Sequence, residues 1–144
     1  MTDDYYMREA LKEAEKAFRK DEVPVGAVIV AGNRIITRAY NLTETLNDVT
    51  AHAEMQAITA AAAYLGGKYL KECTLYVTLE PCIMCAGALY WAQISRIVYG
   101  ASDLKRGFTL NSLPLLHPTT TLTNGLLEIE CATIISDFFK KKRK

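Results

Sequence analysis

The chain has 144 residues, of which 50% are hydrophobic and 23% are charged. This length favours one domain, residues 1–144, with enough buried surface for a core, and the composition excludes a disordered chain. No run of about 18 apolar residues is present, so the sequence predicts no transmembrane helix and no membrane partner. The charged, amphipathic first residues contain no apolar signal sequence, and we therefore expect a cytoplasmic protein.

The positive charges of the chain are segregated at its carboxyl end. With 17 Lys and Arg against 16 Asp and Glu, the net charge is +1, which at first argues against a nucleic-acid partner. The last five residues, 140–144, are all basic, and removing those five charges from +1 leaves −4 for the remainder. Two interpretations stay open: a solvated tail that aids solubility, or a contact to the phosphates of a nucleic acid.

Hydrophobic periodicity and turn signals predict alternating helices and strands along the chain. Apolar residues between Met7 and Phe18 recur every three or four positions, which is typical of a helix, and Thr2 or Asp3 can cap its start. The predicted elements in chain order are that helix, strands at 25–31 and 34–40 joined at a Gly-Asn turn, a loop at 41–50, a helix at 51–65, a strand at 73–79, a helix at 82–92, a strand at 96–100, an irregular stretch at 101–125 and a helix at 126–144. This order favours an α/β sandwich in which helices cover a mixed sheet.

Two short motifs each stand where a predicted helix begins: His52-Ala53-Glu54 and Pro81-Cys82-Ile83-Met84-Cys85. Cys82 and Cys85 are three positions apart, so both sulfurs face the same side of the first helical turn. The partial positive charge of the helix N-terminus stabilises their thiolate forms, and His52 is a third candidate ligand. Two thiolates and one imidazole suit Zn²⁺, one ion per chain, and leave a fourth position open for water, as in catalytic sites.

Glu54 is the second half of the predicted site. It lies two residues from His52 but is not needed as a ligand, and a carboxylate beside a metal can take a proton from water and pass it to a substrate nitrogen. Cys73 and Cys131 have no neighbouring cysteine and are predicted to be buried apolar thiols. Taken singly, His52 is more often a capping residue and Glu54 a solvated one. The joint pattern H-x-E with P-C-x-x-C is typical of zinc deaminases.

Over nearly its whole length the sequence resembles the bacterial tRNA-specific adenosine deaminases, a family of the cytidine deaminase-like superfamily. The matching residues are Asn41 and the segments at 23–28, 50–54, 75–88, 96–101 and 136–139. The resemblance implies a three-layer αβα sandwich, in which a five-stranded mixed sheet is flanked by helices. It also implies a homodimer with each active site near the interface.

The catalytic roles follow from the resemblance. It implies that His52, Cys82 and Cys85 bind zinc and that Glu54 shuttles protons. The implied reaction is hydrolytic deamination of adenosine to inosine at the wobble position of a tRNA anticodon loop. Water adds to C6 of adenine, Glu54 protonates N1 and then the leaving amino group, and ammonia departs.

The resemblance also implies the substrate contacts. Asn41 and the backbone N–H of Ala53 are expected to bind the target nucleoside. Phe138 and Phe139, followed by the basic residues 140–144, offer a stacking surface and phosphate contacts to an RNA loop. Because the two Phe residues are adjacent on a helix, we expect one to be buried and the other to be available.

Other functions stay open on the sequence alone. A deaminase of a free nucleobase or nucleoside, such as guanine, cytosine or cytidine, shares the zinc site. The Tyr90-Trp91 pair and the absence of a basic cluster at 117–125 favour that alternative, whereas the Phe-Phe-Lys tail favours RNA. Two further alternatives are a zinc module that binds RNA without catalysis and a structural protein with unrelated Cys and His residues.

Overall fold

The structure is a computed structural model that describes residues 1–143. Lys144, the last residue of the predicted basic tail, lies outside the described residues. The elements are α1 (Asp3–Arg19), β1 (Gly26–Ala31), β2 (Arg34–Tyr40), α2 (Ala53–Leu65), β3 (Cys73–Leu79), α3 (Ile83–Ala92), β4 (Arg96–Ala101), a 3₁₀ turn (Phe108–Leu110), β5 (Thr121–Thr123) and α4 (Glu128–Lys142). None of these helices combines the length and the apolar character needed to cross a bilayer.

The five strands form one mixed sheet in the order β2-β1-β3-β4-β5. β1 pairs antiparallel with β2 and β3, whereas β3, β4 and β5 run parallel to one another. Because successive side chains of a strand point to opposite faces, the sheet carries two apolar clusters. α2 and α3 pack over one cluster, and α1 and α4 pack over the other. The predicted three-layer sandwich around a five-stranded mixed sheet is therefore confirmed.

Helix α1 and strand β1 approach each other so closely that a side chain cannot fit between them. A Cβ atom at Gly26 would lie 2.1 Å from the carbonyl oxygen of Ala10 and 2.4 Å from the backbone nitrogen of Ala14. The small side chains of α1 allow this approach, and glycine at the start of β1 completes it. At the N-terminus of α1, the Thr2 hydroxyl caps the helix by accepting a hydrogen bond from the N–H of Tyr5 at 3.2 Å.

The prediction of an irregular stretch at 101–125 is wrong in two places. Phe108–Leu110 form a 3₁₀ turn, and Thr121–Thr123 form β5, a short parallel edge strand beside β4. β5 is only three residues long and all three are exposed, so no buried apolar face indicates a strand. β5 is positioned by backbone pairing with β4. Next to this pairing, the N–H of Thr121 donates to the carbonyl of Ser95 at 3.0 Å.

Asp3, at the start of α1, ties that helix to two central strands. Its carboxylate accepts two hydrogen bonds from the Arg96 guanidinium, at 2.9 and 2.7 Å, and one from the Tyr76 hydroxyl at 2.6 Å. The Arg96 bonds, with the Tyr76 bond added, hold the pKa of Asp3 below its ordinary value against the opposing effect of burial. Because the folded-state pKa is lowered, the stabilisation is present above the unfolded-state pKa of about 3.9 and is lost as the pH falls through the folded-state value.

We expect Asp3→Asn to lower the free energy of unfolding by about 1 kcal/mol at pH 7, because it breaks a bidentate ion pair that is only partly exposed. The difference from wild type should shrink as the pH falls below about 4, where Asp3 of the wild type becomes protonated. Urea unfolding at several pH values measures both effects. Asp4→Asn is the matched control, since Asp4 lies in the same helical turn and its ion-pair partner is the exposed Arg8. An equal, pH-independent loss in both variants would contradict this account.

Candidate active site

Three potential metal ligands converge where helices α2 and α3 begin. The Nδ1 atom of His52 lies 3.6 Å from the sulfur of Cys82 and 3.5 Å from the sulfur of Cys85. One ligand atom from each residue falls within 4.8 Å of the other two. Within residues 1–143 this is the one such group of His, Cys or carboxylate side chains that could hold a metal ion.

The helix starts explain why these side chains meet. His52 is the N-cap of α2 and Cys82 is the N-cap of α3, and both have extended backbone angles. The helices begin at Ala53 and Ile83, two residues and one residue after the predicted starts. Neither residue caps its helix with a side-chain hydrogen bond, so imidazole and thiol are free to face each other. Since α2 and α3 lie on the same face of the sheet, their N-terminal N–H groups and partial positive charges surround the same point.

The two thiols differ in their electrostatic environment. The Cys85 thiol, by hydrogen bonding to Cys82, lowers the pKa of Cys82 to about 4, and the His52 ring contributes to this shift while burial opposes it. The same bond, together with burial, raises the pKa of Cys85. The pKa of His52 is raised by its bond to Cys82. The site therefore favours a thiolate, which is the form of cysteine that binds metals.

Glu54 lies in the first turn of α2, and its side chain is buried, with 4% of the residue exposed. Burial raises the pKa of this carboxyl to about 7. The residue is on the wall of the pocket next to His52 and Cys82. A buried carboxyl beside a three-ligand group is the arrangement needed for proton transfer at a metal site.

The pocket has a volume of about 280 Å³ and opens to solvent above the ligand group. Its walls are formed by Val23, Val25, Asn41, Thr43, His52, Ala53, Glu54, Leu79, Glu80, Cys82, Asp103 and Arg106. The structure thus places Asn41, Ala53 and Glu54 around one cavity together with two of the metal-ligand candidates. Cys85, the third, is fully buried behind the wall.

The chain matches the MafB19-like deaminase family over residues 1–143. It is 46% identical to the tRNA-specific adenosine deaminase of Bacillus subtilis (strain 168), over 99% of this chain and 91% of that protein. The chain belongs to the family of tRNA-specific adenosine deaminases. As a member of this family it is a deaminase, and the predicted family is confirmed.

Solved structures support the same assignment. One from a study of A-to-I editing by tRNA:A34 deaminases at the wobble position of transfer RNA superposes with a TM-score of 0.85 and 47% identity, covering 90% of this chain and 98% of that one. A guanine deaminase from Bacillus subtilis is also similar, with a TM-score of 0.68 and 39% identity, over 71% of this chain and 66% of that one. This deaminase thus shares its fold with proteins named for two different substrates.

Three charged residues of the pocket wall, Glu80, Asp103 and Arg106, were not among the predicted site residues. Asp103 and Arg106 lie in the segment after β4 that was predicted to be irregular. Asp103 orders this segment, because its Oδ1 atom accepts hydrogen bonds from the N–H groups of Lys105 and Arg106, both at 3.0 Å. A usable signal was present, since the carboxyl ends of parallel neighbours such as β3 and β4 meet at one edge of a sheet, where ligands bind.

Phe138 and Phe139 lie outside the pocket, in a groove that adjoins it. The groove and the pocket share Val23 and Thr43 as wall residues. Phe138 is buried and stacks edge-on against Phe18, with ring centroids 5.9 Å apart, whereas Phe139 is 43% exposed. One Phe is thus buried and the other exposed, as expected, and a contact of these rings with RNA stays a prediction.

The Tyr90-Trp91 pair, which favoured a free-base deaminase in the sequence analysis, does not line the pocket. Both residues lie at the end of α3 opposite to its metal-ligand candidates, and Trp91 is 76% exposed. Tyr90 packs against Trp91 and against His117, with ring centroids 5.5 and 5.7 Å apart. The aromatic pair therefore lies on the surface and is not among the residues that line this pocket.

Proposed function

We propose that this chain, as a single deaminase domain of residues 1–144, is a zinc-dependent hydrolase that converts adenosine to inosine at the wobble position of a tRNA anticodon. The observation that carries the proposal is the buried Glu54 carboxyl beside three metal-ligand candidates on the wall of a pocket. The names of the relatives supply the substrate class. The four cysteines are free thiols, which favours the reducing cytoplasm as the compartment.

Zinc is the metal whose usual ligands match this donor set. Thiolate sulfur and imidazole nitrogen are its preferred protein ligands, and three of them leave one coordination position open. His52, Cys82 and Cys85 would hold one ion per chain. When bound, Zn²⁺ supplies the Lewis acidity that lets water act as a nucleophile near neutral pH.

Glu54 carries the protons of the reaction. It takes a proton from the attacking water as the water oxygen bonds to C6 of adenine, and it delivers this proton to N1. The second proton of that water then passes through the carboxyl to the exocyclic nitrogen, so that ammonia leaves and inosine remains. Burial of the Glu54 side chain limits exchange of these protons with bulk water.

Asn41 and the first N–H of α2 hold the target nucleoside. The side-chain nitrogen of Asn41 donates to the carbonyl of Val23, and its Oδ1 accepts from the N–H of Thr43, both at 3.3 Å. These bonds fix the amide while one donor and one lone pair stay available for a ligand. Ala53 is the first residue of α2, so its N–H has no acceptor within the helix and can donate to the base.

The groove next to the pocket fits the RNA on either side of the target base. A base in an anticodon loop must be turned out of its stack to enter the pocket, and its neighbour can then stack on the exposed Phe139 ring, which Phe138 supports from below. Lys20 and Lys142 border the same groove and can contact the backbone phosphates.

A deaminase of free guanine is the second candidate function. The similarity to the Bacillus subtilis guanine deaminase favours it, because a shared fold and zinc site leave the substrate to the pocket walls. The identity is higher, and extends over more of both chains, for the tRNA-specific relatives. We therefore place the tRNA substrate first.

The purified full chain is expected to convert adenosine to inosine in an anticodon stem-loop that carries adenosine at the wobble position. Free guanine, cytosine, cytidine and adenosine should react far more slowly, since they lack the flanking nucleotides that the groove binds. Inosine formation by mass spectrometry and ammonia release measure the two activities. Rapid turnover of free guanine with an unreacted stem-loop would contradict the RNA substrate.

Glu54→Gln is the matched variant for the chemistry, because it removes the proton-transfer group and keeps the size of the side chain. Turnover of the stem-loop should fall by a factor of about 10² to 10⁴, while the zinc content, measured by plasma mass spectrometry, stays at one ion per chain. Full activity of this variant would remove Glu54 from the mechanism. An inactive wild type that binds both zinc and the stem-loop would instead favour a module without catalysis.

We also propose that a second copy of the chain covers the exposed side of α3. Met84, Gly87, Ala88 and Trp91 follow one side of this helix at helical spacing, and none of them is buried. Exposed apolar patches of this kind mark interfaces, and the two small residues allow a close approach between helices. The patch begins next to Cys85, so a dimer formed through it would have each active site near the interface, as the resemblance to the family implies.

Trp91→Glu is expected to convert a dimer into a monomer, since it places a charge in an apolar contact. Size-exclusion chromatography with light scattering measures the change from twice the chain mass of 16.0 kDa to this mass itself. Ile129→Glu is the matched control, because Ile129 is 79% exposed on α4, on the opposite face of the sheet. A monomeric wild type, or a dimeric Trp91→Glu variant, would refute the proposed interface.

A further inference from the structure

Two loops border the mouth of the pocket, and each is attached to a buried glutamate that the proposed chemistry does not use. One loop, residues 41–45, contributes Asn41 and Thr43 to the wall, and the other, residues 102–109, contributes Asp103 and Arg106. Glu22 is fully buried beneath the first loop. Glu80 is 3% exposed beneath the second.

Glu80 holds both ends of its loop with one carboxyl group. One oxygen accepts the N–H of Asp103 at 3.0 Å, and the other accepts the N–H and the hydroxyl of Thr109 at 2.9 and 2.7 Å. Between these points the chain passes over the carboxyl at Gly107, where a Cβ atom would lie 2.3 Å from the carboxyl carbon. The loop therefore closes directly on Glu80 and presents Asp103 and Arg106 to the pocket.

Glu22 holds the opposite loop in the same manner. One of its oxygens accepts the N–H of Glu44 at 3.0 Å, and the other accepts the N–H and the hydroxyl of Thr45, both at 2.6 Å. Burial alone would raise the pKa of Glu22, but the bonds from Thr45 and Glu44 lower it below its ordinary value. The turn that follows Asn41 is thereby fixed, and Thr43 stays on the pocket wall.

Neither glutamate has a cationic partner among residues 1–143. The ion pairs of the described chain involve Asp3, Asp4, Glu9, Glu13 and Asp21 as their acidic members. Burying a carboxyl group is unfavourable unless hydrogen bonds satisfy it. The hydrogen bonds that Glu22 and Glu80 accept all come from the two pocket loops. Each carboxyl accepts two backbone N–H groups and one Thr hydroxyl.

We propose that Glu22 and Glu80 are positioning residues for the RNA substrate, each of which fixes one of the two loops that receive the nucleotides flanking the target base. The inference rests on the proposed function for the identity of the substrate. A preorganised loop binds without a further loss of conformational entropy, so the two carboxyls act on substrate affinity. Lys105 and Arg106 of the second loop are exposed, and their positive charges can contact the phosphates of the RNA backbone.

The test uses the full chain with Glu80→Gln and Glu22→Gln, which keep side-chain size but replace one acceptor oxygen by a donor. Each variant should raise KM for the anticodon stem-loop by about tenfold or more, as expected for a lost hydrogen bond to a carboxylate, with kcat changed by less than about threefold. Hydrogen–deuterium exchange should become faster in the loop that the substituted residue holds, and zinc content should not change.

Thr109→Val and Thr109→Ser make a second pair of variants, which covers the case of a Glu80→Gln protein that fails to fold. The valine variant lacks the hydroxyl bound to Glu80 and should raise KM, whereas serine keeps the hydroxyl and should restore the wild-type value. Glu72→Gln is the charge control, because Glu72 is exposed and distant from both loops.

The outcomes separate this inference from the proposed function. Unchanged KM, unchanged exchange, or a loss confined to kcat in an otherwise active enzyme would overturn the positioning role while the tRNA substrate stands. A wild type that leaves the stem-loop unreacted overturns the proposed function and the RNA part of this inference. Exchange rates of the two loops then decide whether the carboxyls hold them.

Discussion

The contact on which the rest of the site depends is the approach of one imidazole to two thiols where α2 and α3 begin. His52 Nδ1 lies within 3.6 Å of both sulfurs, and this meeting requires both helices to start at the same edge of the same face of the sheet. Each helix start contributes unpaired N–H groups and partial positive charge. The place where the two helix starts meet therefore stabilises a thiolate, and the adjoining pocket favours a polar ligand. Glu54 and Ala53 face the pocket because they follow His52 in the first turn of α2.

The sheet brings the other walls of the pocket to that point. β3 and β4 are parallel neighbours, so the segments that follow them, with Glu80 and Asp103, emerge side by side. The close approach at Gly26 lets α1 pack directly on β1. The segment that connects α1 to β1 contains Glu22 and Val23, and it lies beneath the loop that follows Asn41. Two buried carboxyls then fix the loops on opposite sides of the mouth. The metal-ligand group and the loops of the pocket wall are thus held by different interactions, so the walls can differ between relatives while the metal-ligand group stays the same.

Much of this architecture could be predicted from local sequence, because its signals are local. The Gly32-Asn33 turn has positive φ at both residues, 57° and 60°, as a two-residue hairpin requires. The spacing of His52, Cys82 and Cys85 specifies the metal-ligand group, and Glu54 follows His52 in the same motif. Strand β5 could not be predicted, since it is three residues long and entirely exposed. The order β3-α3-β4 places Asp103 and Arg106 at the correct edge of the sheet, but their position on the pocket wall depends on long-range bonds from their loop to Glu80, 23 residues from Asp103. The location of Tyr90 and Trp91 could not be predicted for a similar reason. The local sequence does not distinguish an aromatic pair on the protein surface from one that lines a base-binding pocket.

The central proposal is that three protein ligands, His52, Cys82 and Cys85, hold zinc and leave one coordination position open. X-ray absorption spectroscopy at the zinc edge of the purified wild-type protein tests it. The account predicts two sulfur ligands at about 2.3 Å and two lighter ligands at about 2.0–2.1 Å, of which only one gives the multiple-scattering pattern of an imidazole. A third sulfur ligand, a second imidazole or the absence of zinc would contradict it, because the site would then be closed or would not hold the metal at all.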